Sequence, residues 1–309
     1  MGESKKLQGL VEDMSSEEYH KYPGTYSSSQ LKSMLEDPEL FHRKYIAKTE
    51  EKSTGAHFDV GTYFHTSILE PQKLKTECAV FTGIRRGKEW ESFKETNCGK
   101  AIITESELKQ AEGLVEAVKN SPVAMGRLGR GKPEVSAFVD VTVSCGDIFA
   151  PNGDVLGKNG WEPAKGRKVS KKKSTVIPLK TRADLLAEDF ILDLKSTTGN
   201  SKNEYAMRGS VSKYSYDLSA ALYLDIFTLA TEKVISEFIW TFASKDCFNS
   251  RSYVASNENI QIGRAKWKKA VLSLSEYIEN GWVFEDYLAI LNPNMWELEF
   301  IKVRGEDLL

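Results

Sequence analysis

Two acidic residues and a lysine occupy a short, otherwise apolar segment of the chain, where isolated charges would be unfavourable. Residues 179–187 and 190–196 are rich in apolar side chains, and the polar Glu-Asp pair between them predicts a β-hairpin. If the hairpin folds symmetrically about that pair, Asp184 faces Asp193 directly across the strands. Lys195 follows Asp193 by two residues, so side-chain alternation places it on the same face. We therefore predict one apolar core face and one charged face.

Metal binding is the chemistry that this charged face predicts. Directly opposed residues of two strands have Cβ atoms roughly 4.5–5.5 Å apart, and like charges at such positions are destabilising unless something offsets them. Carboxylate oxygens are the ligands that Mg²⁺ and Mn²⁺ prefer, with waters or phosphate oxygens completing the coordination. A solvated hairpin with a surface Asp-Lys pair is the alternative, because Glu-Asp is a poor two-residue turn and leaves the register open.

Composition limits the class of protein. The chain has 309 residues, of which 40% are hydrophobic, and a net charge of −2 at pH 7, which predicts a soluble globular protein. It contains no apolar run of the ~20 residues that a bilayer requires, and its first residues lack the apolar segment of a signal peptide. We therefore expect a cytoplasmic protein with no membrane partner. The four cysteines are far apart in sequence, which predicts free thiols.

Positive charge is concentrated in two segments of the chain. Residues 158–180 carry eight Lys or Arg and one acidic residue, which predicts a basic loop. Lys171, Lys172 and Lys173 are its candidates for contact with a phosphate backbone, and an ordinary solvated surface is the alternative. Residues 84–94 interleave basic and aromatic side chains, which is typical of a helix that grips a nucleic-acid strand but equally compatible with core packing. The candidate DNA-binding residues in this second segment are Arg85, Arg86 and Lys88.

The remaining periodicity predicts helices before and after the strands. Residues 1–24 are expected to be loosely ordered, and residues 25–309 to form one domain with a basic loop insertion at about 144–179. Capping residues, prolines and apolar spacing predict helices at 30–37, 39–47, 58–69, 105–120, 214–231 and 259–280. Alternation predicts strands at 134–143 and 234–243 in addition to the hairpin. The predicted order is helices, three strands, a helix, a strand and a helix.

These residues carry a resemblance to a known family. RADLL followed by DLK resembles the D…(D/E)xK signature of the PD-(D/E)XK nuclease superfamily, whose αβββαβ core is similar to the predicted order of elements. Flanking segments resemble its RecE-type branch, the exonuclease VIII-like enzymes of phages and prophages. They are YSSSQLKSMLEDPELFHRKY, FDVGTYFHTSILEP, RRGKEW, PEVSAF and YSYDLSAALYLD. The resemblance implies a mixed α/β (α+β) fold of the restriction-endonuclease type, with extra N-terminal and C-terminal helices.

The resemblance also implies roles for residues of the hairpin and of one helix. Asp184 and Asp193 match the metal carboxylates of the family, and Lys195 matches its catalytic lysine. His65, in GTYFH, matches a histidine that lies beside the metal and is implied as a ligand. The backbone carbonyl of Leu194 is implied as a further ligand.

Further site residues are implied on the first strand and on the later helix. Glu134 matches an acidic position near the site. Many relatives carry a Gln-x-x-x-Tyr motif on the helix, of which this chain keeps Tyr223 but has Ser219 where the glutamine would fall. A hydroxyl reaches less far than an amide, so Tyr216 is the candidate for the substrate contact that the glutamine would make.

The activity that the resemblance implies is metal-dependent hydrolysis of DNA. We expect Mg²⁺, replaceable by Mn²⁺, with one or two ions per site, and no iron–sulfur cluster because the cysteines are not clustered. The implied enzyme is a phage or prophage product in a bacterial host, a ring-shaped homo-oligomer that degrades linear double-stranded DNA processively from 5′ to 3′. It would leave 3′ single strands for recombination, with a single-strand annealing protein as a partner. The alternatives are a structure- or sequence-specific endonuclease on the same core and a non-catalytic DNA-binding module.

Overall fold

Helices cover a mixed β-sheet in the computed structural model, which describes residues 6–50, 56–170 and 173–284. The helices are α1 (Ser16–Lys21), α2 (Ser28–Glu36), α3 (Pro38–Phe41), α4 (Ala56–Leu69), α5 (Leu74–Glu77), α6 (Gly87–Thr96), α7 (Glu105–Lys119), α8 (Pro122–Leu128), α9 (Glu204–Lys213), α10 (Tyr216–Thr231) and α11 (Asn257–Asn280). The strands are β1 (Gly9–Val11), β2 (Cys78–Phe81), β3 (Ala101–Thr104), β4 (Lys132–Ser144), β5 (Asp147–Phe149), β6 (Val155–Gly157), β7 (Gly160–Glu162), β8 (Thr175–Leu186), β9 (Phe190–Thr197), β10 (Glu237–Ser244) and β11 (Ser250–Val254). A π-helical turn, His42–Ile46, follows α3, and a 3₁₀ turn, Pro71–Lys73, follows α4.

The predicted hairpin lies in the middle of the sheet. In the described part of the chain the strand order is β11-β10-β9-β8-β4-β5-β6-β7, with β1 also paired to β4, and β2 and β3 form a separate parallel pair. The neighbours β4, β8 and β9 run antiparallel, whereas β10 is parallel to β9. A parallel pair needs a long crossover connection, and α9 and α10 supply it between β9 and β10.

Different helices bury the two faces of the sheet. Along β10, Phe238, Trp240 and Phe242 pack into a core shared with α10 and α11, whereas Ile239 and Ala243 pack into a core shared with α4 and α7. This alternation is what a strand covered on both faces requires. The charged face of the hairpin is therefore not the solvated surface of the alternative interpretation, because α2, α10 and α11 pack over that side of the sheet. Within the described ranges, no helix is long and apolar enough to cross a bilayer.

The N-terminal segment is more ordered than the sequence predicts. Within residues 1–24, β1 pairs with β4, and α1 begins with a capping box formed by Ser15 and Glu18. The buried ammonium of Lys180 donates a hydrogen bond to the carbonyl of Tyr19 at 2.7 Å. The prediction of a loosely ordered segment is thus wrong for β1 and α1, because pairing with a strand far along the chain orders them.

The predicted basic loop insertion at 144–179 also contains regular structure. Strands β5, β6 and β7 extend the sheet beyond β4, and β8 already begins within the insertion. Arg167 pairs with Asp147 at 3.4 Å and with Glu162 at 3.2 Å, so part of the positive charge is held within the insertion. The prediction of one long loop is therefore wrong, because short strand pairs give it a fold of its own.

Close packing between α10 and α11 fixes the position of α10. A Cβ atom on Gly263 would lie 1.9 Å from the carbonyl oxygen of Asp217. One residue further on, the buried Arg264 forms an ion pair with Asp225 at 2.7 Å, and Trp267 donates to the same carboxylate at 3.0 Å. Breaking a buried ion pair of this kind leaves an uncompensated charge and is strongly destabilising. The position of α10 is thus set by a glycine contact and a satisfied buried ion pair.

We expect Gly263→Ala to lower the free energy of unfolding by about 1–3 kcal/mol or more. The added methyl group would clash with the backbone of α10 at Asp217, which cannot move aside as a side chain could. The matched control is Gly209→Ala in α9, where nothing lies within 4 Å of an added Cβ. That substitution should be neutral or stabilising by up to about 1 kcal/mol. Chemical denaturation measures both variants, and equal effects would contradict the packing described for α10 and α11.

Candidate active site

Three carboxylates lie side by side on neighbouring strands of the sheet. The register of β4 with β8 places Glu134 opposite Asp184. The pairing of Leu185 with Leu192 places Asp184 opposite Asp193 and confirms the predicted hairpin register. Like charges at directly opposed positions repel each other. The sheet therefore concentrates negative charge across β4, β8 and β9.

Regular strand geometry is interrupted at two of these acidic residues. The backbone N–H of Leu194 donates to Oδ2 of Asp184 at 2.7 Å, so a side chain takes the place of a partner-strand carbonyl. Glu134 has a φ of 55°, in the left-handed region that residues other than glycine rarely adopt. Such a conformation costs about 1–3 kcal/mol and is often found at functional sites. Both distortions coincide with the row of carboxylates.

A cationic side chain neutralises each of the three carboxylates. The cations belong to α4, β8 and β9, so different elements contribute to the same charge balance. Together they offset the repulsion that the strand register imposes. The ion pairs are Glu134 with Arg182, Asp184 with His65 at 3.3 Å, and Asp193 with Lys195 at 2.6 Å.

His65 is an imidazolium that donates two hydrogen bonds. Its Nδ1 lies 2.9 Å from the carbonyl oxygen of Gly61, and its Nε2 lies 2.9 Å from that of Leu194. Carbonyl oxygens can only accept, so both ring nitrogens carry a proton. Burial alone would lower the pKa of His65, but the adjacent Asp184 carboxylate raises it to about 9. In this state His65 holds Leu194 and Asp184 in place, and ligation of a metal would require it to lose a proton.

Burial and mutual repulsion shift the pKa values of the carboxylates. Burial raises the pKa of Asp193 and that of Glu134, and the charge of Asp184 adds to both shifts. Burial acts in the same direction on Asp184, but His65 and Lys195 outweigh it and hold the pKa of Asp184 below its usual value. A cation bound there would act against the upward shifts, because a nearby positive charge favours the ionised form of a carboxylate.

The donor set fits a hard divalent cation. Oδ2 of Asp193 is buried and has no hydrogen-bond partner among the described residues. The carbonyl oxygen of Leu194 is 2.9 Å from Nε2 of His65 and 3.3 Å from Nζ of Lys195. Within residues 6–50, 56–170 and 173–284, no three Asp, Glu, His or Cys side chains are arranged to hold an ion by themselves. Mg²⁺ does not need such a cage, because one or two carboxylates suffice when water and substrate phosphate complete its coordination.

A cleft opens beside the site on the α4 side. It has a volume of about 180 Å³, and its walls include His65, Glu134 and Arg182. Glu70 and Glu77 also line it. The cleft thus reaches two of the three ion pairs.

The helix α10 brings two of its predicted residues to the opposite side of the site. Nζ of Lys195 lies 5.5 Å from the ring centroid of Tyr216, which is a cation–π distance. Tyr223 is half-buried, and burial together with the charge of Asp193 raises its pKa, so its hydroxyl stays protonated. Ser219 is buried. Tyr216 and Tyr223 therefore lie beside the lysine and a carboxylate of the site.

The basic segment at 84–94 is only partly available for DNA. Arg85 donates to both carboxylate oxygens of Glu107, at 3.0 and 2.7 Å, and is thereby held within the fold. The aromatic residues of the segment pack against Phe81, in agreement with the core alternative. Arg86 and Lys88 are exposed. The geometry thus argues against Arg85 as a DNA contact and leaves Arg86 and Lys88 as predictions.

The lysine run of the insertion lies mostly outside the described residues. The structure does not describe Lys171 and Lys172. Lys173 is exposed, with its Nζ 4.0 Å from a carboxylate oxygen of Glu279. Contact between these lysines and a phosphate backbone stays a prediction.

Arg182 is a site residue to which the sequence assigns no role. It lies in RADLL, two residues before Asp184, and alternation places it on the charged face. Its guanidinium pairs with Glu134 and donates to the carbonyl of Met14 at 2.8 Å. The contact with Glu134 could have been predicted from the sequence, because Glu134 has the opposite charge and lies on the preceding strand. Nothing in the sequence pattern indicates the contact with Met14.

Comparisons with known proteins bear on this arrangement. Residues 164–282 match the model of a family described as a PDDEXK-like domain of unknown function (DUF3799). The crystal structure of a candidate exonuclease from Eubacterium rectale matches with a TM-score of 0.56 and 14% identity, over 93% of this chain and 98% of that chain. The two matches support a PD-(D/E)XK nuclease fold.

Two further comparisons add nothing to this fold assignment. The crystal structure of SSO0001 matches at 13% identity over 77% of this chain and 83% of that chain, and its TM-score of 0.27 is too low to support an argument. A search of curated proteins gives no match. The family match includes Asp184, Asp193 and Lys195 but not His65 or Glu134, which the fold brings to the same place.

Metal binding can be tested without an activity assay. We expect Asp193→Asn to weaken Mn²⁺ binding by more than about tenfold, since that loss is typical even for removal of an outer-shell partner. The matched control is Asp189→Asn, which removes a carboxylate of the same hairpin that pairs with Arg130 at the surface. It should bind Mn²⁺ like the wild type. Isothermal titration calorimetry measures all three proteins, and indistinguishable affinities would exclude Asp193 as a ligand.

Proposed function

We propose that the chain is a divalent-metal-dependent exodeoxyribonuclease that hydrolyses linear double-stranded DNA from its ends. The observation that carries the proposal is the row of Glu134, Asp184 and Asp193 on adjacent strands, with Lys195 at 2.6 Å from Asp193. The PDDEXK-like family match and the shared fold with the candidate exonuclease support a hydrolytic nuclease. The end-dependent activity is supported by the resemblance of the flanking sequence motifs to RecE-type enzymes.

The carboxylates and the lysine have complementary roles in this reaction. A divalent cation held by Asp184 and Asp193, Mg²⁺ or Mn²⁺ in this proposal, would lower the pKa of a water and neutralise phosphoryl oxygens. Burial alone would lower the pKa of Lys195, but Asp193 and Asp184 raise it above its usual value. Lys195 therefore stays charged and is not a general base. It orients the attacking water and offsets the negative charge that develops on the phosphoryl oxygens.

Residues on both sides of the site hold this constellation in place. His65 donates to the carbonyl of Leu194 and is paired with Asp184, so it fixes two of the oxygens that face the substrate. Tyr216 covers Lys195 with its aromatic face and would make the substrate contact of the glutamine that Ser219 replaces. Precise positioning of this kind matters because small displacements of a catalytic group cause large losses of rate.

The wider proposal includes contacts that follow from sequence resemblance and charge. Arg86, Lys88 and the lysine run 171–173 would bind the phosphate backbone, with affinity that falls steeply as salt increases. We further propose 5′ to 3′ processive degradation by a ring-shaped homo-oligomer, which leaves 3′ strands for a single-strand annealing partner in phage-type recombination. The host would be a bacterial cell.

The substrate class is tested by digestion of three DNA forms with and without Mg²⁺. End-labelled linear duplex should be degraded with Mg²⁺ and preserved in EDTA, while covalently closed circular duplex should survive. Single-stranded DNA should be degraded more slowly than linear duplex. Cleavage of the closed circle would favour the endonuclease alternative, and no cleavage with Mg²⁺ or Mn²⁺ would reject the nuclease assignment.

Lys195→Ala should lower the cleavage rate by roughly 10²–10³-fold, which is the loss typical of removing one preorganised charge stabiliser. Mn²⁺ affinity should be retained, because the ammonium acts on water and phosphate and does not hold the ion. The control is Lys109→Ala, an exposed lysine of α7 that should leave the rate unchanged. Calorimetry that showed loss of Mn²⁺ binding together with loss of rate would contradict this role for Lys195.

A further inference from the structure

Lys32 of α2 extends to the same aromatic ring as the lysine of the active site. Its Nζ lies 5.3 Å from the ring centroid of Tyr216, and Nζ of Lys195 lies 5.5 Å from that centroid. Lys32 is half-buried, and α2 packs against both α10 and α11. The ring of Tyr216 thus brings two ammonium groups to one side of the site.

Charge pairing distinguishes Lys32 from Lys195 and Lys266, the two lysines whose charges act on it. Lys195 is paired with Asp193 at 2.6 Å. Lys266 contacts both carboxylate oxygens of Asp217, at 2.9 and 2.7 Å. Within the ranges that the structure describes, Lys32 has no carboxylate partner, and its cation–π contact with Tyr216 is the interaction seen for its ammonium. An ammonium that is half-buried without an anion is energetically unfavourable.

The surroundings of Lys32 reinforce this imbalance. Burial, together with the positive charge of Lys195, lowers the pKa of Lys32 to about 8, even though Asp193 and Asp217 act in the opposite direction. A cation–π contact of this kind offsets only about 0.5–2 kcal/mol. An external anion would therefore stabilise the charged ammonium of Lys32.

We propose that Lys32 binds a phosphate of the substrate strand, next to the phosphate that lies at Asp184 and Asp193. This inference rests on the proposed nuclease function, since a polynucleotide is the anion that brings a second phosphate to the site. Lysine binds phosphate as a compact point charge with rotatable donors, and the long stem of Lys32 lets it reach past Tyr216. Lys195 serves the reacting phosphate, and Lys32 holds the neighbouring one.

The variant that tests the proposal is Lys32→Met, which removes the charge and keeps an apolar side chain of similar reach. Loss of one charge-assisted hydrogen bond should weaken binding of a short duplex by roughly tenfold to a hundredfold. Loss of one phosphate contact should reduce the slope of log affinity against log salt by about one unit. Fluorescence anisotropy in EDTA, where no strand is cleaved, measures both quantities.

Two comparison variants separate this role from general effects of charge and packing. Lys32→Arg keeps the charge and should recover most of the wild-type salt slope. Lys109→Met removes an exposed lysine of α7 and should leave affinity and slope unchanged. Thermal unfolding of Lys32→Met should occur at or above the wild-type midpoint, because an unpaired, half-buried charge has been removed.

In the cleavage assay, the same variant should raise KM while kcat stays within about twofold, since the contact exists before and during the reaction. Wild-type affinity and slope in Lys32→Met would overturn the proposal and leave the nuclease function standing. A lowered unfolding midpoint would overturn it too, because it would indicate a structural role. Failure of the wild type to cleave DNA would reject the nuclease function, whereas the binding titration would still decide whether Lys32 contacts phosphate. Failure of the wild type to bind DNA would overturn both.

Discussion

Glu134, Asp184 and Asp193 repel one another across β4, β8 and β9, and the cations around them offset that repulsion. By register these carboxylates occupy opposed positions on three adjacent strands, and in a regular sheet the Cβ atoms of such positions are roughly 4.5–5.5 Å apart. The fold places one cation against each of them. The arrangement is neutral as it stands, yet one buried carboxylate oxygen of Asp193 has no hydrogen-bond partner in the described chain. A divalent cation would satisfy that oxygen and relieve the repulsion at the same time.

The surrounding elements make this charge arrangement effective. Helices cover both faces of the sheet, so the ion pairs lie in partly desolvated surroundings in which electrostatic interactions are stronger than in water. On one side α4 supplies His65, and on the other α10 supplies Tyr216, with α11 fixing the position of α10 through Gly263. The strands also depart from regular geometry at Glu134 and at Leu194. The sheet is therefore less regular at the place where the acidic side chains converge.

The parts of the fold that depend on local pattern could be predicted from the sequence. Apolar alternation and a central polar pair predict the hairpin, and its register follows from symmetry, as the pairing of Leu185 with Leu192 confirms. Strand β1 and strands β5 to β7 could not be predicted, because three-residue strands are too short to show a period and their partners are distant in sequence. The protonation of His65 could not be predicted from the sequence either, because it follows from two carbonyl oxygens that only the folded chain brings to the ring.

Charge counted along the sequence also differs from charge available at the surface. Arg85 belongs to a basic cluster in the sequence, but Glu107, 22 residues further on, binds its guanidinium. Conversely, Lys32 belongs to no basic cluster in the sequence, and only the packing of α2 against α10 shows that its ammonium lacks an anion. Long-range pairing therefore decides which cations can meet a substrate.

An anomalous difference map from crystals grown with Mn²⁺ shows directly whether Asp184 and Asp193 hold a metal ion. We predict a peak that contacts carboxylate oxygens of both Asp184 and Asp193, with the previously unpaired Oδ2 of Asp193 among its ligands. A map with no peak at these carboxylates, or with Mn²⁺ bound elsewhere while Asp184 and Asp193 keep only His65 and Lys195 as partners, would contradict the claim that the row of carboxylates exists to hold a metal ion.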